Sequence, residues 1–300
     1  MSISHYIKDI GRGREGARPL ERTQAADVMG QILDGQVSDL ELGAFCIAMR
    51  IKGETDQEMA GFLDATHARL DPVAASGPVV VLPSYNGARK LPVLTPLLAH
   101  LLAREGLAVV VHGTATENNR ITSQQVLNAM GVNAHCQTKP VQAGDVVFAP
   151  TEGLCPGLKR LLDVRRVVGL RNSAHSLVKL MNPTTTNDAL LVSSYTHPEY
   201  AVSMAATLEL TGARALLLRG TEGEAVADAR RTPQMDAFVR GIRTLLVEAQ
   251  AGSLRKLPEL PTEIDAASTA RYNQAVLNGD LPVPTPLQAQ VQAILQALSL

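Results

Sequence analysis

Residues 79–92 read VVVLPSYNGARKLP. A run of β-branched and apolar residues stops at a turn built on Asn86 and Gly87, as the buried strand of an α/β domain does. In such domains the turn from strand to helix is where backbone N–H groups hold a phosphate, and small residues then line it. This turn has a single glycine, a tyrosine and two bulky cations, Arg89 and Lys90. The stretch poses a choice between a phosphate site, the remnant of one, and a grip on some other anion.

Working outward, AVVVH (108–112), VVFAP (146–150), ALLVSS (189–194) and ALLLRG (215–220) repeat the strand pattern. LTPLLAHLLAREG, SQQVLNAMG and HPEYAVSMAATLELTG lie between them with helical character. That alternation predicts an α/β domain with a mostly parallel central sheet covered by helices, over 73–300. Ligand sites in such sheets form at the carboxyl ends of strands, where SYNGARK, HGTATENNR and RGTEGE fall. TPLQAQVQAILQALSL closes the chain as an amphipathic helix.

Residues 1–72 read as a small all-helical N-terminal domain. TQAADVMGQILDG carries an apolar face and stops at Gly35. SDLELGAFCIAMRIKG opens at an N-cap Ser38 and ends at Gly53, and Thr55 with Glu58 has capping-box spacing. DPVAASGP (71–78) has the composition of a linker. GRGREG (11–16) fits Gly-x-Gly-x-x-Gly but follows no strand, which rules out a dinucleotide site and leaves a flexible cationic loop.

Hydrophobic residues make up 45% of the 300 and aromatic residues only 3%, with no Trp. The chain is therefore globular, and it lacks the aromatic platform that single-stranded bases stack on. No apolar run approaches the ~20 residues of a membrane span, so no membrane partner is expected. MSISHYIKDIGRGREG has no signal-peptide h-region, and a cytoplasmic location is the expectation. Cys46, Cys136 and Cys155 are widely spaced and read as small reduced hydrophobes rather than zinc ligands or a disulfide framework.

Net charge is −1, but it is unevenly distributed. Residues 34–64 are acidic. In 155–181, Lys159, Arg160, Arg165, Arg166, Arg171 and Lys179 face only Asp163, and residues 1–22 add Lys8, Arg12, Arg14, Arg18 and Arg22. A near-neutral chain with such windows can present a strongly basic face. Each cation taken singly reads more readily as part of a solvated helix surface.

With this organisation, ILDGQVSDLELGAFCIAMRIKGETDQEMAGF resembles the N-terminal domain of the anthranilate phosphoribosyltransferase-like family, glycosyltransferase family 3. KGET followed by EMAGF, the HG after a strand, QVLNAMGVN, GLKRLLDVRRVVGLRNS and MNP at 181–183 extend the resemblance to about residues 20–290. It implies a helical domain completed by helices near 155–182, a larger α/β domain, and a homodimer formed through the small domains.

The family's phosphoribosyl pyrophosphate turn, Gly-Thr-Gly-Gly-Asp, matches Ser84-Tyr85-Asn86-Gly87-Ala88-Arg89, where side chains replace glycines and a cation replaces the acid. The Asn-Ile-Ser-Thr helix start matches LPVLTP, with Thr95 as a remaining hydroxyl. The Lys-His-Gly-Asn-Arg motif is reduced to Val111-His112-Gly113-Thr114-Ala115 and lacks its lysine. The magnesium-binding Asp-Glu pair matches Ala225-Val226, and Arg165 matches an anthranilate-binding arginine. The ancestral cleft would comprise Asn86, Gly87, Arg89, Lys90, His112, Gly113 and Arg165.

These departures resemble the family's non-catalytic nucleic-acid-binding branch. That implies sequence-nonspecific binding of DNA and RNA through basic grooves, with no catalytic residue, cofactor or metal. The candidate contacts are Arg12, Arg14, Arg18, Lys159, Arg160, Arg165, Arg166, Arg171, Lys179, Arg230 and Arg231. The alternative is a phosphoribosyl or pentosyl transferase with an altered substrate, using magnesium and phosphoribosyl pyrophosphate. A third option is a regulator that binds a small anionic metabolite. Arg89 and Lys90 either bind a phosphate or close the empty cleft by pairing with Glu117, Glu222 or Glu224. His112 is either an acid–base group or a structural histidine bonded to the adjacent loop. Asn118, Asn119 and Arg120 read as the cap region before TSQQVL.

Overall fold

A computed structural model of the chain describes residues 2–134, 140–252 and 257–300. In chain order the elements are α1 (Ser4–Ile10), α2 (Gly13–Gly16), α3 (Arg22–Leu33), α4 (Asp39–Lys52), α5 (Asp56–His67), β1 (Val79–Ser84), α6 (Thr95–Arg104), β2 (Ala108–Gly113) and α7 (Ser123–Ala129). There follow β3 (Val146–Pro150), α8 (Thr151–Leu154), α9 (Pro156–Val168), α10 (Ala174–Leu177), β4 (Leu190–Tyr195), α11 (Pro198–Thr211), β5 (Ala215–Arg219), β6 (Met235–Val239), β7 (Ile242–Val247), α12 (Ala266–Asn278) and α13 (Thr285–Ser299). They form two compact units: residues 1–71 with 151–183, and residues 72–150 with 184–300.

The first unit is helical. Ser38 and Glu41 cap α4 reciprocally, and Thr55 and Glu58 do the same for α5, so orphan N–H groups at both helix starts are satisfied. The buried Glu58 also pairs with Lys52 at 2.6 Å and accepts from the Leu20 N–H at 2.9 Å. Helices α3 and α5 pack together, α9 packs on α3 and α10, and α1 and α2 rest on α4. GRGREG is not a loop. Its last four residues form the helical turn α2, which follows directly on α1.

The second unit is built on one seven-stranded sheet, ordered β3-β2-β1-β4-β5-β6-β7. Strands β1 to β5 pair in parallel, and all but the outer strand β3 are almost wholly buried, which is why they read as continuous apolar runs. Val80, Leu82, Val109, Val111, Leu190 and Leu216 carry the core between the sheet and α6 and α13. The chain runs outward from β1 through β2 to β3, then crosses back to place β4 on the other side of β1. That reversal puts the switch point, and the expected ligand crevice, at the carboxyl ends of β1 and β4.

The sheet is mostly parallel as expected, with an antiparallel edge. β6 and β7 are antiparallel, joined by Arg240 and Gly241, whose φ values of 50° and 80° suit a type I′ hairpin turn.

Candidate functional site

At the carboxyl end of β1, every backbone N–H from Asn86 to Leu91 has a partner. Those of Asn86 and Gly87 donate to Oε1 of Glu224 at 2.9 and 2.8 Å. Ala88 donates to the Ile121 carbonyl at 2.7 Å. Those of Arg89, Lys90 and Leu91 donate to Oε2 of Glu222 at 2.9, 3.0 and 3.3 Å. Both glutamates come from the turn after β5. The segment that the family resemblance matches to a diphosphate turn thus binds two carboxylates of its own chain.

The inner carboxylate is sealed. Glu224 is 1% exposed, and its Oε2 accepts from the hydroxyls of Ser84 at 2.5 Å and Thr95 at 3.2 Å. Ser123 Oγ lies 3.4 Å from the same oxygen and 2.7 Å from Ser84 Oγ. Main-chain amides and hydroxyls around an anion make the donor set of a phosphate site, here wrapped around a side chain. Asn86 locks the turn by donating from its side chain to the Gly223 carbonyl at 2.9 Å, and Ser194 Oγ reaches the same carbonyl at 3.1 Å. Gly87 has φ 68°, and a Cβ there would stand 2.7 Å from the Ile121 carbonyl oxygen, so only glycine fits.

The outer carboxylate is half-buried. Burial alone would push the Glu222 carboxyl up. The N–H groups of Arg89, Lys90 and Leu91 and the charge of Arg120 outweigh that and hold it below the ordinary carboxylate range. Glu222 has φ 51°, a left-handed conformation that costs a non-glycine residue about 1–2 kcal/mol. The side chains of Arg89 and Lys90 are exposed and make no hydrogen bond or ion pair among the described residues. The expected closure by Arg89 and Lys90 therefore takes a different form: Glu222 binds their backbone, and Glu117 pairs with Arg120 at 3.1 Å. Nor do Asn118, Asn119 and Arg120 cap α7, because Thr122 does so in a box with Gln125.

His112 is fully buried in β2, its Nδ1 2.8 Å from the Tyr85 hydroxyl, and burial pushes its pKa down to about 3. It is neutral at any ordinary pH, with a loop tyrosine as partner. Gly113 beside it is required by close approach, since a Cβ would come within 1.8 Å of the Ser84 carbonyl oxygen.

The residues do not fit a magnesium diphosphate clamp. Ala225 and Val226, at the matched positions, are apolar and 1% exposed. Glu222 and Glu224 are committed to N–H and hydroxyl donors. Among the described residues no group of three or more His, Cys, Asp or Glu is placed to hold a metal ion.

The cations of the helical unit behave differently. On α9, Lys159 and Arg166 share Asp163, the latter at 3.2 Å. Arg160 donates to the Ile32 carbonyl at the end of α3 at 2.5 Å. The charges of Arg165, Arg171 and Lys179 act on His175. Burial first, then the charges of Arg171, Arg165 and Lys179, push that histidine down to about 3, so it is neutral in a strongly positive neighbourhood. His175 carried no recognisable sequence signal; its neighbour Asn172, within the GLKRLLDVRRVVGLRNS segment, donates from its side chain to the Leu161 carbonyl at 2.7 Å.

Elsewhere the candidates are dispersed. Arg12 pairs with Asp9 at 3.4 Å, Arg18 is exposed, and the side chain of Arg14 lies outside the described residues, as does Cys136. Cys46 and Cys155 are buried and free. Arg230 is bound through both nitrogens to Asp228 at 2.9 and 2.8 Å, and Arg231 reaches the Gln250 carbonyl at 3.4 Å.

Comparison with known proteins decides the ancestry. Residues 4–69 match the glycosyl transferase family helical bundle domain. The Escherichia coli strain K12 protein YbiB, itself described as uncharacterized, is 40% identical over 99% of this chain and 94% of its own length. The chain belongs to the anthranilate phosphoribosyltransferase-like family, glycosyltransferase family 3. Within that family, the anthranilate phosphoribosyltransferase of Roseiflexus castenholzii is 28% identical over 94% of this chain and 79% of its own. The crystal structure of the Thermus thermophilus anthranilate phosphoribosyltransferase shares the fold with a TM-score of 0.73 at 24% identity, covering 97% of this chain and 87% of that one. No helix among the described residues is long and apolar enough to cross a membrane.

Proposed function

We propose that this chain binds nucleic acid, DNA or RNA, without sequence preference through a basic face of its helical unit, and that it has lost phosphoribosyl transfer. The observation that carries this is the cationic stretch of the helical unit, where Lys159 and Arg166 share Asp163 and the charges of Arg171, Arg165 and Lys179 act on the buried His175. Clustered guanidinium and ammonium groups of that kind follow a phosphate backbone by releasing counterions and read no bases.

Loss of the parent reaction is supported by the other unit. Glu224 fills the inner anion site, and freeing either glutamate for magnesium would leave N–H donors of the β1 turn without their acceptor. A homodimer through the helical unit is part of the proposal. Leu40, Ile51, Val167 and Leu170, exposed by 83, 60, 89 and 48%, are the apolar surface such a contact would cover. Residues 8–22 and 159–179 both belong to the helical unit through which the dimer would form.

Fluorescence anisotropy of a labelled oligonucleotide over a salt series, without magnesium, tests the reading. Sub-micromolar affinity falling linearly in log–log salt is expected, with a slope near −0.9 per phosphate contact on duplex DNA. No binding at low salt would refute it.

A further inference from the structure

We propose that β7 is a self-pairing edge, at which a second copy of this chain adds its own β7 antiparallel and the two sheets become one. The inference concerns the α/β unit alone and rests neither on nucleic-acid binding nor on a contact through the helical unit.

β7 ends the strand order, and among the described residues nothing pairs with its outer side. Ile242, Arg243, Thr244 and Leu245 are exposed, which leaves both faces of the strand open; Ile242 is exposed by 69% and Leu245 by 50%. Native edges are blunted by proline, by unpaired charge or by a bulge, because an open row of N–H and C=O groups recruits further strands. β7 has no proline, and its one charge is engaged within the sheet: Arg243 pairs with the buried Asp236 at 2.9 Å and stands over the Phe238 ring. The irregularity opposite Met235 and Asp236 comes after Leu245, so residues 242–245 keep a regular ladder.

The register names the occupant. In a two-residue hairpin the residues flanking the turn, Val239 and Ile242, exchange their hydrogen bonds. Alternation then points the N–H and C=O groups of Arg243 and Leu245 outward, and those of Ile242 and Thr244 toward β6. A two-fold axis through Thr244 sets Arg243 of one copy opposite Leu245 of the other, so the outward groups bond to each other on both sides of the axis. The same register places Ile242 against Leu246, two apolar residues of one face, and Arg240 against Glu248. Arg240 and Glu248 are exposed and have no ion pair among the described residues. Moving the axis to Leu245 would set Glu248 against Ile242 and lose the charge pair. An edge that matches itself in backbone bonds, apolar contact and charge has its complement in every other copy of the chain.

The test uses the full chain over a protein concentration series, with sedimentation velocity for mass and amide hydrogen exchange for the site. Exchange at Arg243 and Leu245 should slow as concentration rises, while that of Ile242 and Thr244, bonded to β6, stays constant. Arg240 and Glu248 lie eight positions apart in sequence, roughly 20 Å along the strand, so they couple only between copies. Arg240→Asp, a substitution that a type I′ turn favours, should weaken the association about tenfold, and so should Glu248→Arg. Combining the two substitutions should restore it. Exchange at Arg243 and Leu245 that ignores concentration overturns the proposal even where mass grows, since the copies then meet elsewhere or another partner takes the edge. A double variant as weak as the two losses combined overturns it as well.

Discussion

The two units deal with anions in opposite ways. At the end of β1 in the α/β unit, the donors that the fold collects at its switch point are satisfied from within, by Glu222 and Glu224. On α9 and α10 in the helical unit, the cations outnumber the acids, and Asp163 is shared between Lys159 and Arg166. Filling an anion site with a carboxylate of the same chain satisfies the buried donors and shuts the site. An excess of cations over acids on a helix surface keeps their field available to a polyanion. The fold alone dictates neither outcome: the anthranilate phosphoribosyltransferases share the architecture, and the side chains decide.

The contrast can be broken from the sealed side first. Glu224→Ala leaves the hydroxyls of Ser84 and Thr95 and the N–H groups of Asn86 and Gly87 without their shared acceptor. A loss of about 2–4 kcal/mol in urea unfolding is expected, with nucleic-acid affinity unchanged. Glu224→Gln, which restores one acceptor oxygen, should recover part of it. A neutral Glu224→Ala would show that the carboxylate does not organise the turn.

Acidification has an effect of similar size. His112 and His175 both have folded pKa values of about 3, below their ordinary value, so the unfolded chain binds more protons between the two. Stability therefore rises with pH up to about 6.5 and is lost below it, each histidine adding up to about 1.4 kcal/mol per pH unit. Thermal unfolding from about pH 7 to about pH 5 checks this, and His175→Asn should decline less steeply than the wild type. Equal declines would mean that His175 is protonated in the folded state.

The smallest effect belongs to Glu222→Gln. The side-chain oxygen of Gln still accepts from the N–H groups of residues 89–91 at this half-buried position, so stability should change by less than about 1 kcal/mol in the same urea titration. A loss as large as that of Glu224→Ala would erase the distinction between the sealed inner carboxylate and the half-buried outer one.

Much of the fold was legible because its signals are local. The capping pairs Ser38–Glu41 and Thr55–Glu58 stand at fixed spacing, and β1, β2 and β4 are short unbroken apolar runs. β6 and β7 were not legible: β7 is an exposed edge strand with no inward alternation, and its turn, Arg240-Gly241, places a left-handed arginine where asparagine or aspartate is the usual signal.

The site was legible only at its rim. Thr95 stood out as a remaining hydroxyl, and the departures from the diphosphate turn were plain. The site's donors, however, are main-chain N–H groups, which no residue letter encodes. The pairing of residues 86–91 with glutamates more than 130 positions away needs the sheet to bring β1 and β5 together. Ser123 gave no signal for the same reason. Gly223, at φ 88° between the two glutamates, was the nearest thing to a marker.

The most direct test of the central claim sets the two regions against each other in one binding assay. A labelled oligonucleotide without a 5′-phosphate is titrated against the wild type, an Arg165/Arg166/Arg171→Gln triple variant and an Arg89/Lys90→Ala double variant. The triple variant should bind at least about 100-fold more weakly, with its log–log salt slope flatter by about two to three units, and the double variant should match the wild type. If the double variant loses binding and the triple variant keeps it, the nucleic acid lies on the α/β unit and the account is wrong.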